Sequence, residues 1–154
     1  MAINTSKVIV GGLIGGVVAN AIDFAINGFL LASQQKAALD ALNPTLAANA
    51  TQPGKIPIFV VLDFIWIIAN VWIYAGIRTR FGPGARTATY AGVASWVVGS
   101  VVAGYFAALG MFSRNLYAVS AICALVNSIV STIVGARFYT EEATAAVGQA
   151  AFTD

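Results

Sequence analysis

The chain is 154 residues long, enough for one domain, and 59% of its residues are hydrophobic while only 9% are charged. A soluble domain carries about a quarter charged residues, so this chain lacks the polar surface that water would require. Its net charge of +2 is small, and its Lys and Arg residues lie near the ends of apolar stretches. We therefore expect a lipid bilayer as its main partner and exclude nucleic acid.

Two residue types that supply much membrane chemistry are scarce. The sequence has no histidine, which excludes Ser-His-Asp catalysis and any site in which histidine ligates haem, zinc or a pigment. Cys123 is the single cysteine, so neither an intrachain disulfide nor a thiolate cluster can form. The sequence therefore identifies no cofactor, metal site or catalytic residue, and we expect that the protein is not an enzyme.

Four apolar stretches are long enough to cross a bilayer as helices, since about 20 apolar residues span its hydrocarbon core. None of them alternates polar and apolar residues with the period of two that a β-barrel strand requires. We predict an all-α, four-helix transmembrane bundle that forms a single membrane domain over residues 1–154. The predicted spans are residues 8–32, 57–77, 89–111 and 116–138.

The predicted loop at residues 33–56 contains helical signals of its own. Residues 34–42 are rich in alanine, and we expect them to prolong the first helix until Pro44 stops it. At the other end of the chain, the small residues that follow Phe138 favour a short surface helix.

The basic residues near span ends predict the orientation of the bundle. Five of them belong to one side of the membrane and three to the other. The positive-inside rule then places both termini in the cytoplasm and the loop 33–56 on the opposite side of a cell inner (plasma) membrane. The side with more basic residues carries Lys7, Arg78, Arg80, Arg86 and Arg137.

Internal similarity leaves two interpretations open. Residues 14–19 are similar to residues 98–103, and Asn70 and Asn127 each lie ten residues before an Arg-Phe pair. A duplication would give two αα-hairpin repeats in parallel orientation. Chance similarity among helices rich in Gly, Val and Ala explains the same pattern.

Polar residues inside the predicted spans form the candidate site. Asn20, Asp23 and Asn27 follow the spacing i, i+3, i+7, which places them on one face of the first helix. Asp63 lies about 9 Å and Asp23 about 13 Å from the same membrane surface, so the two carboxyl groups are expected to meet. The predicted intramembrane polar cluster consists of Asn20, Asp23, Asn27, Asp63, Asn70 and Asn127.

Placing an aspartate in a spanning helix near the bilayer centre costs about 2.5–3.5 kcal/mol of insertion free energy. Apart from Arg137 at the far end of the fourth span, no Lys or Arg lies inside the predicted spans to offset that cost for Asp23 or Asp63. Two interpretations follow from this imbalance. A carboxyl group without a fixed counter-ion suits a proton or cation site, and a protonated carboxyl group serves equally well as a hydrogen-bond donor between helices.

Two further groups of residues have both a functional and a structural interpretation. Arg78, Arg80 and Arg86 flank a Gly-Pro-Gly reversal and suit anionic lipid headgroups or a phosphate, although positive-inside bias alone explains them. Aromatic residues within the spans suit a pigment or quinone, or serve as core and interfacial anchors. These aromatic residues are Trp66, Trp72, Trp96, Tyr74 and Tyr105.

Several segments of the chain resemble a group of small bacterial four-helix integral membrane proteins that have no assigned activity. The matching segments are residues 20–28, 74–84, 109–112 and 135–141, of which Arg-x-Arg-Phe-Gly-Pro-Gly is the most specific. The resemblance implies the fold and no function. Members of the group tend to have Glu at the position of Asp23 and often at that of Asn127, which implies that a carboxylate pair between the first and fourth helices is lacking here.

Three functional hypotheses follow. Glycine-rich helix faces, short loops and the scarcity of catalytic residue types favour a non-enzymatic accessory or structural subunit of a larger membrane assembly, or a homo-oligomer. The alternative is a proton- or cation-coupled carrier or channel for a small solute that uses Asp23 and Asp63. An intramembrane enzyme ranks third, because the sequence shows no nucleophile–base pair.

Overall fold

The computed structural model describes residues 3–50 and 52–141; the surface helix predicted after Phe138 falls mainly on residues outside this part. The secondary structure of the described part is helical throughout, which confirms the all-α prediction. A π-helical turn, Ile26–Leu30, and a 3₁₀ turn, Pro53–Lys55, accompany the α-helices. The α-helices are Thr5–Ala25 (α1), Ala32–Leu42 (α2), Pro44–Ala50 (α3), Ile56–Phe81 (α4), Ala85–Ala108 (α5) and Arg114–Ala136 (α6).

Four segments of the described chain are long and apolar enough to cross a membrane, as predicted. Large apolar side chains cover their outer surfaces, for example Phe24 at 67%, Val98 at 64% and Ile122 at 63% exposure. Lipid accommodates such a surface and water does not, so this is a multi-pass integral membrane protein. The four segments are Thr5–Leu30, Pro53–Phe81, Ala85–Ala108 and Arg114–Ala136.

The four long helices form a bundle in which sequence neighbours are antiparallel. α1 packs against α4 and α6, α5 packs against α6 and α4, and α4 also contacts α6 across the bundle. The backbone N–H of Asn4 donates to the hydroxyl of Tyr139 at 3.3 Å, so α1 begins where α6 ends. We call this the arginine end, because Arg78, Arg80 and Arg86 lie there. The opposite end, which carries α2 and α3, is the loop end.

Glycines set the distance between α1 and its two neighbours. A Cβ atom on Gly11 would lie 2.5 Å from the carbonyl oxygen of Gly135, and one on Gly15 would lie 2.6 Å from that of Ser131. On the adjacent face of α1, a Cβ atom on Gly12 would lie 2.6 Å from the backbone of α4. The glycines therefore bring α1 into backbone contact with α6 on one side and with α4 on the other.

The first transmembrane helix ends differently from the prediction. The π-helical turn at Ile26–Leu30 follows α1, and Leu31 then bends the chain before α2 begins. Residues 34–42 are helical, but they belong to this separate helix and do not prolong the first one. A π turn bonds each N–H to the carbonyl five residues back, which changes the direction of its side chains relative to an α-helix.

The Gly-Pro-Gly reversal between α4 and α5 uses backbone angles that favour glycine. The φ angle is +83° at Gly82 and +120° at Gly84. The hydroxyl of Thr87 donates to the carbonyl of Gly82 at 2.7 Å, and the N–H of Gly84 donates to the hydroxyl of Tyr74 at 3.1 Å. These bonds hold α4 and α5 together at the arginine end.

The glycine contacts predict opposite effects for two Gly→Ala substitutions. Gly15→Ala places a methyl group against the backbone of α6 and should lower the free energy of unfolding by about 1–3 kcal/mol. Gly76→Ala is the matched control: nothing lies within 4 Å of its Cβ position. It should raise stability by about 0.5–1 kcal/mol, because alanine favours a helix. Thermal unfolding in detergent measures both, and equal shifts in Tm would contradict the close contact between α1 and α6.

The count of basic residues predicts that the arginine end faces the cytoplasm. In a Cys123→Ser background, Asn115→Cys introduces an exposed thiol at the loop end. It should react with a membrane-impermeant maleimide in intact cells. Pro83→Cys introduces an exposed thiol at the arginine end and should react only after the cells are opened. The reverse labelling pattern would show the opposite orientation.

Candidate functional site

Asp23 and Asp63 come together inside the bundle. Asp23 lies near the loop end of α1 and Asp63 lies two turns into α4, so the antiparallel packing brings both to the same depth. Their side chains are near enough to interact, and both line one cavity. Each of the two residues is partly buried. The pair is therefore an acidic site between two transmembrane helices.

Asn127 of α6 fixes one side of the carboxyl pair. Its Nδ2 atom donates to Asp23 Oδ1 at 2.7 Å and to the carbonyl oxygen of Ala19 at 3.2 Å. Its Oδ1 atom accepts from the hydroxyl of Ser131 at 2.8 Å. Because these three bonds assign the amide orientation, Asn127 presents its donor group to Asp23 and ties α6 to α1.

The carboxyl pair has neutral partners and no basic one. No Lys or Arg occurs in residues 8–32, 57–77, 89–111 or 116–136, so the basic side chains lie near the ends of the spans. Two carboxylates at short range in an apolar medium repel each other strongly, because Coulomb energy grows as the dielectric falls. A proton or a cation from outside the chain would relieve that repulsion.

A cavity of about 290 Å³ adjoins the carboxyl pair. Its walls come from all four long helices and are mainly apolar. The rings of Trp66, Trp96 and Tyr117 line it together with small residues, among them Gly99 and Ala124. An apolar cavity with a few convergent polar groups is the usual form of a small-molecule binding site.

The structure divides the aromatic residues noted in the sequence into two groups. Trp66 and Trp96 line the cavity, although 40% of Trp66 is also exposed. Trp72 and Tyr105 are exposed and line neither cavity, and Tyr74 is buried at the arginine end. The sequence reasoning missed Tyr117. Its signal was the stripe of small residues three, four and seven positions later, which turns the same helix face toward the cavity.

A second cavity, of about 320 Å³, adjoins the first toward the loop end. The two cavities share Ala103, Tyr117 and Ser120 as lining residues. Gln35 and Leu39 of α2 line the second cavity and cover it from the loop end. The two cavities are therefore neighbours, with Tyr117 between them and the second cavity nearer the loop end.

Asn70 belongs to a separate polar cluster. It is fully buried, and its Nδ2 atom donates to the hydroxyls of Ser128 at 3.2 Å and Thr132 at 3.0 Å. These hydroxyls donate in turn to backbone carbonyls, that of Ser128 to Gly92 at 2.9 Å, so both are acceptors toward Asn70. Asn70 Oδ1 is left buried with no hydrogen-bond partner in the described chain. The bonds of this cluster join α4, α5 and α6 rather than reaching the carboxyl pair.

The two remaining asparagines of the predicted cluster also lie apart from the pair. Asn20 donates to the carbonyl of Val60 at 3.4 Å and so links α1 to α4. Asn27 is exposed and accepts from the side chain of Gln35 at 2.7 Å. The predicted i, i+3, i+7 stripe assumes a regular α-helix, but the π turn begins soon after Asp23 and directs Asn27 elsewhere. Asn27 therefore does not belong to the site.

The three arginines proposed as a lipid-binding group have different surroundings. Arg78 lies 5.7 Å from the ring centroid of Tyr74 and 5.1 Å from that of Tyr139, and it pairs with Glu141 at 3.3 Å. It therefore stabilises the arginine end through contacts within the chain. Arg80 and Arg86 are exposed, and binding of anionic headgroups by these two residues stays a prediction.

No protein-family model, curated protein or solved structure matches the chain. The described geometry is that of a multi-pass helical membrane protein with an acidic pair beside a cavity that is partly open at the surface of the bundle. The resemblance to the bacterial four-helix group therefore stays an expectation.

The different surroundings of the two buried asparagines predict different stability effects. Asn127→Leu leaves Asp23 without its amide donor and should cost about 1–3 kcal/mol of unfolding free energy. Asn70→Leu removes an oxygen that already lacks a partner, while Ser128 and Thr132 keep their bonds to carbonyls, so its cost should be smaller. Denaturation in a mixed-micelle system compares the two variants. A larger loss for Asn70→Leu would contradict the assigned hydrogen bonds.

Proposed function

We propose that this protein is a proton- or cation-coupled carrier for a small solute, with the Asp23–Asp63 pair as the coupling site. The observation that carries the proposal is the position of the pair, which lines a cavity at a depth where the chain supplies no basic side chain. A charged group at this depth of a membrane is expensive, and such groups commonly mark ion or substrate pathways.

Coupling follows from competition for the carboxyl pair. One proton shared between Asp23 and Asp63 removes one negative charge and places a hydrogen bond between α1 and α4. A cation in the cavity neutralises the same charge after that proton has left for water. Since the pair holds a proton or a cation at low cost but not both, binding of one releases the other.

The two halves of the bundle favour a carrier over a channel. Toward the loop end, two neighbouring cavities leave space between the helices. Toward the arginine end, α1 and α6 are in backbone contact at Gly11 and Gly135, and Val71 and Asn70 have no exposure. A bundle that is hollow on one side of the carboxyl pair and tightly packed on the other corresponds to one state of alternating access.

The hypothesis of an accessory subunit or homo-oligomer has less support from the contacts. It was motivated by glycine-rich helix faces, yet Gly11, Gly12, Gly15, Gly92 and Gly135 all pack against other helices of the same chain. Their lack of side chains is accounted for without a partner. The hypothesis stays a prediction, as does the expectation that the protein is not an enzyme.

Reconstituted vesicles test the proposed function. Vesicles that contain a pH-sensitive dye receive an outward gradient of sodium, potassium or an organic ammonium chloride. As the cation leaves, protons should enter, and the dye should report a fall in the pH inside the vesicles. Asp23→Asn and Asp63→Asn should each lower the rate at least about tenfold, because a neutral amide cannot exchange a proton.

The matched control is Asp40→Asn. Asp40 lies on α2, where it pairs with Lys36, and it does not line either cavity. Its substitution should leave the rate unchanged. Two results would refute the coupling role of the carboxyl pair. One is a rate of proton movement in Asp23→Asn and Asp63→Asn that equals the wild-type rate. The other is an equal fall in rate in these two variants and in Asp40→Asn.

A further inference from the structure

We propose that the cavity beside the carboxyl pair binds an organic ammonium ion that carries apolar substituents. The cationic head would lie at Asp23 and Asp63, and the apolar substituents would lie against the rings of Trp66, Trp96 and Tyr117. This inference rests on the proposed function and names its class of solute.

Two of the three aromatic side chains already use their polar atoms in hydrogen bonds within the chain. Trp96 Nε1 donates to the carbonyl oxygen of Ala121 at 2.7 Å, and the hydroxyl of Tyr117 donates to the carbonyl oxygen of Ser100 at 3.0 Å. Both partners are backbone atoms of neighbouring helices. What these residues offer a ligand is therefore the ring, which attracts apolar groups and cations rather than hydrogen-bond acceptors.

The third ring, that of Trp66, lies against a glycine of the neighbouring helix. A Cβ atom on Gly99 of α5 would lie 3.1 Å from Cη2 of Trp66, so the indole of α4 packs against the bare backbone of α5. Trp66 is also one helical turn from Asp63, on the same face of α4. The ring and the carboxyl group therefore belong to one wall of the cavity.

The cavity matches other ligand classes less well. A bare metal ion needs a shell of oxygen donors, and residues 3–50 and 52–141 contain no group of three or more acidic or cysteine side chains that could hold one. An anion would be repelled by the carboxyl pair, and a neutral solute would leave the charge of the pair unmatched. An organic cation satisfies both the acidic pair and the aromatic walls.

The adjoining cavity supports the same class of ligand. Leu39, Phe112 and Leu116 give it a largely apolar lining, and it lies between the first cavity and the loop end. A strongly hydrated ion would lose its water along such walls without compensation, whereas an ammonium ion with apolar substituents is weakly hydrated.

Calorimetry on the full-length protein in lipid nanodiscs tests the inference with three chloride salts as probes. Benzyltrimethylammonium should bind more tightly than tetramethylammonium, and potassium should bind more weakly than both. Trp66→Leu should weaken benzyltrimethylammonium binding about tenfold, whereas Trp66→Phe should keep most of the affinity because it retains a ring. Trp72→Leu is the matched control, since Trp72 faces outward and should leave the affinity unchanged.

Thermal unfolding of each variant in the same nanodiscs shows whether Trp66→Leu is folded. If Trp66→Leu is unfolded, Trp66→Phe still tests the inference. Absence of benzyltrimethylammonium binding to the wild type overturns the inference, and so does equal affinity in Trp66→Leu, Trp66→Phe and the wild type. Tight potassium binding that is lost in Asp23→Asn and releases a proton would overturn the inference while supporting the proposed function. Benzyltrimethylammonium binding that is insensitive to both Asp23→Asn and Asp63→Asn would refute both.

Discussion

Two carboxyl groups that face each other among apolar helices, with no basic side chain at their depth, are the constraint on which the structure depends. Asn127 supplies a hydrogen bond to Asp23, but a neutral amide does not cancel a charge. A carboxyl pair that served only to join α1 to α4 would need no space beside it, and neighbouring side chains would fill that space. The bundle instead leaves a cavity of about 290 Å³ there, which favours the proposed binding site over a purely structural contact.

The same chain is closely packed in one half and hollow in the other, and small residues explain both. Gly11, Gly15 and Gly135 allow backbone contact toward the arginine end. In the other half, Gly99 makes room for the ring of Trp66, and Ala124 lines the cavity without filling it. Small residues therefore have two different effects. They allow close contact where the facing helix presents its backbone, and they leave space where it presents a side chain that is held by another contact.

Hydropathy and length were sufficient to predict four antiparallel spans, and counting along them was sufficient to bring Asp23 and Asp63 to one depth. The face that each helix turns to its neighbours was harder to predict, because lipid is as apolar as the core and polarity does not mark the buried side. Asn70 was therefore grouped with the carboxyl pair, and Tyr117 was missed. Asn27 was misplaced for another reason: a π turn follows no periodic pattern of residues, so its change of register is invisible in the sequence.

In the proposed carrier, α1 is the helix that connects the carboxyl pair to movement of the bundle. At its loop end, α1 is held by Asn127 on one side and by the Asp23–Asp63 contact on the other, so whatever neutralises the pair also sets the distance between α1 and α4. A shared proton permits a short contact, whereas an ammonium ion with substituents requires a wider one. At the arginine end, glycines bring the backbone of α1 against both α4 and α6, so a tilt of α1 there changes its contacts with both helices. A change of occupant at one end of α1 can therefore alter the packing at the other, which is what alternating access demands of a single helix.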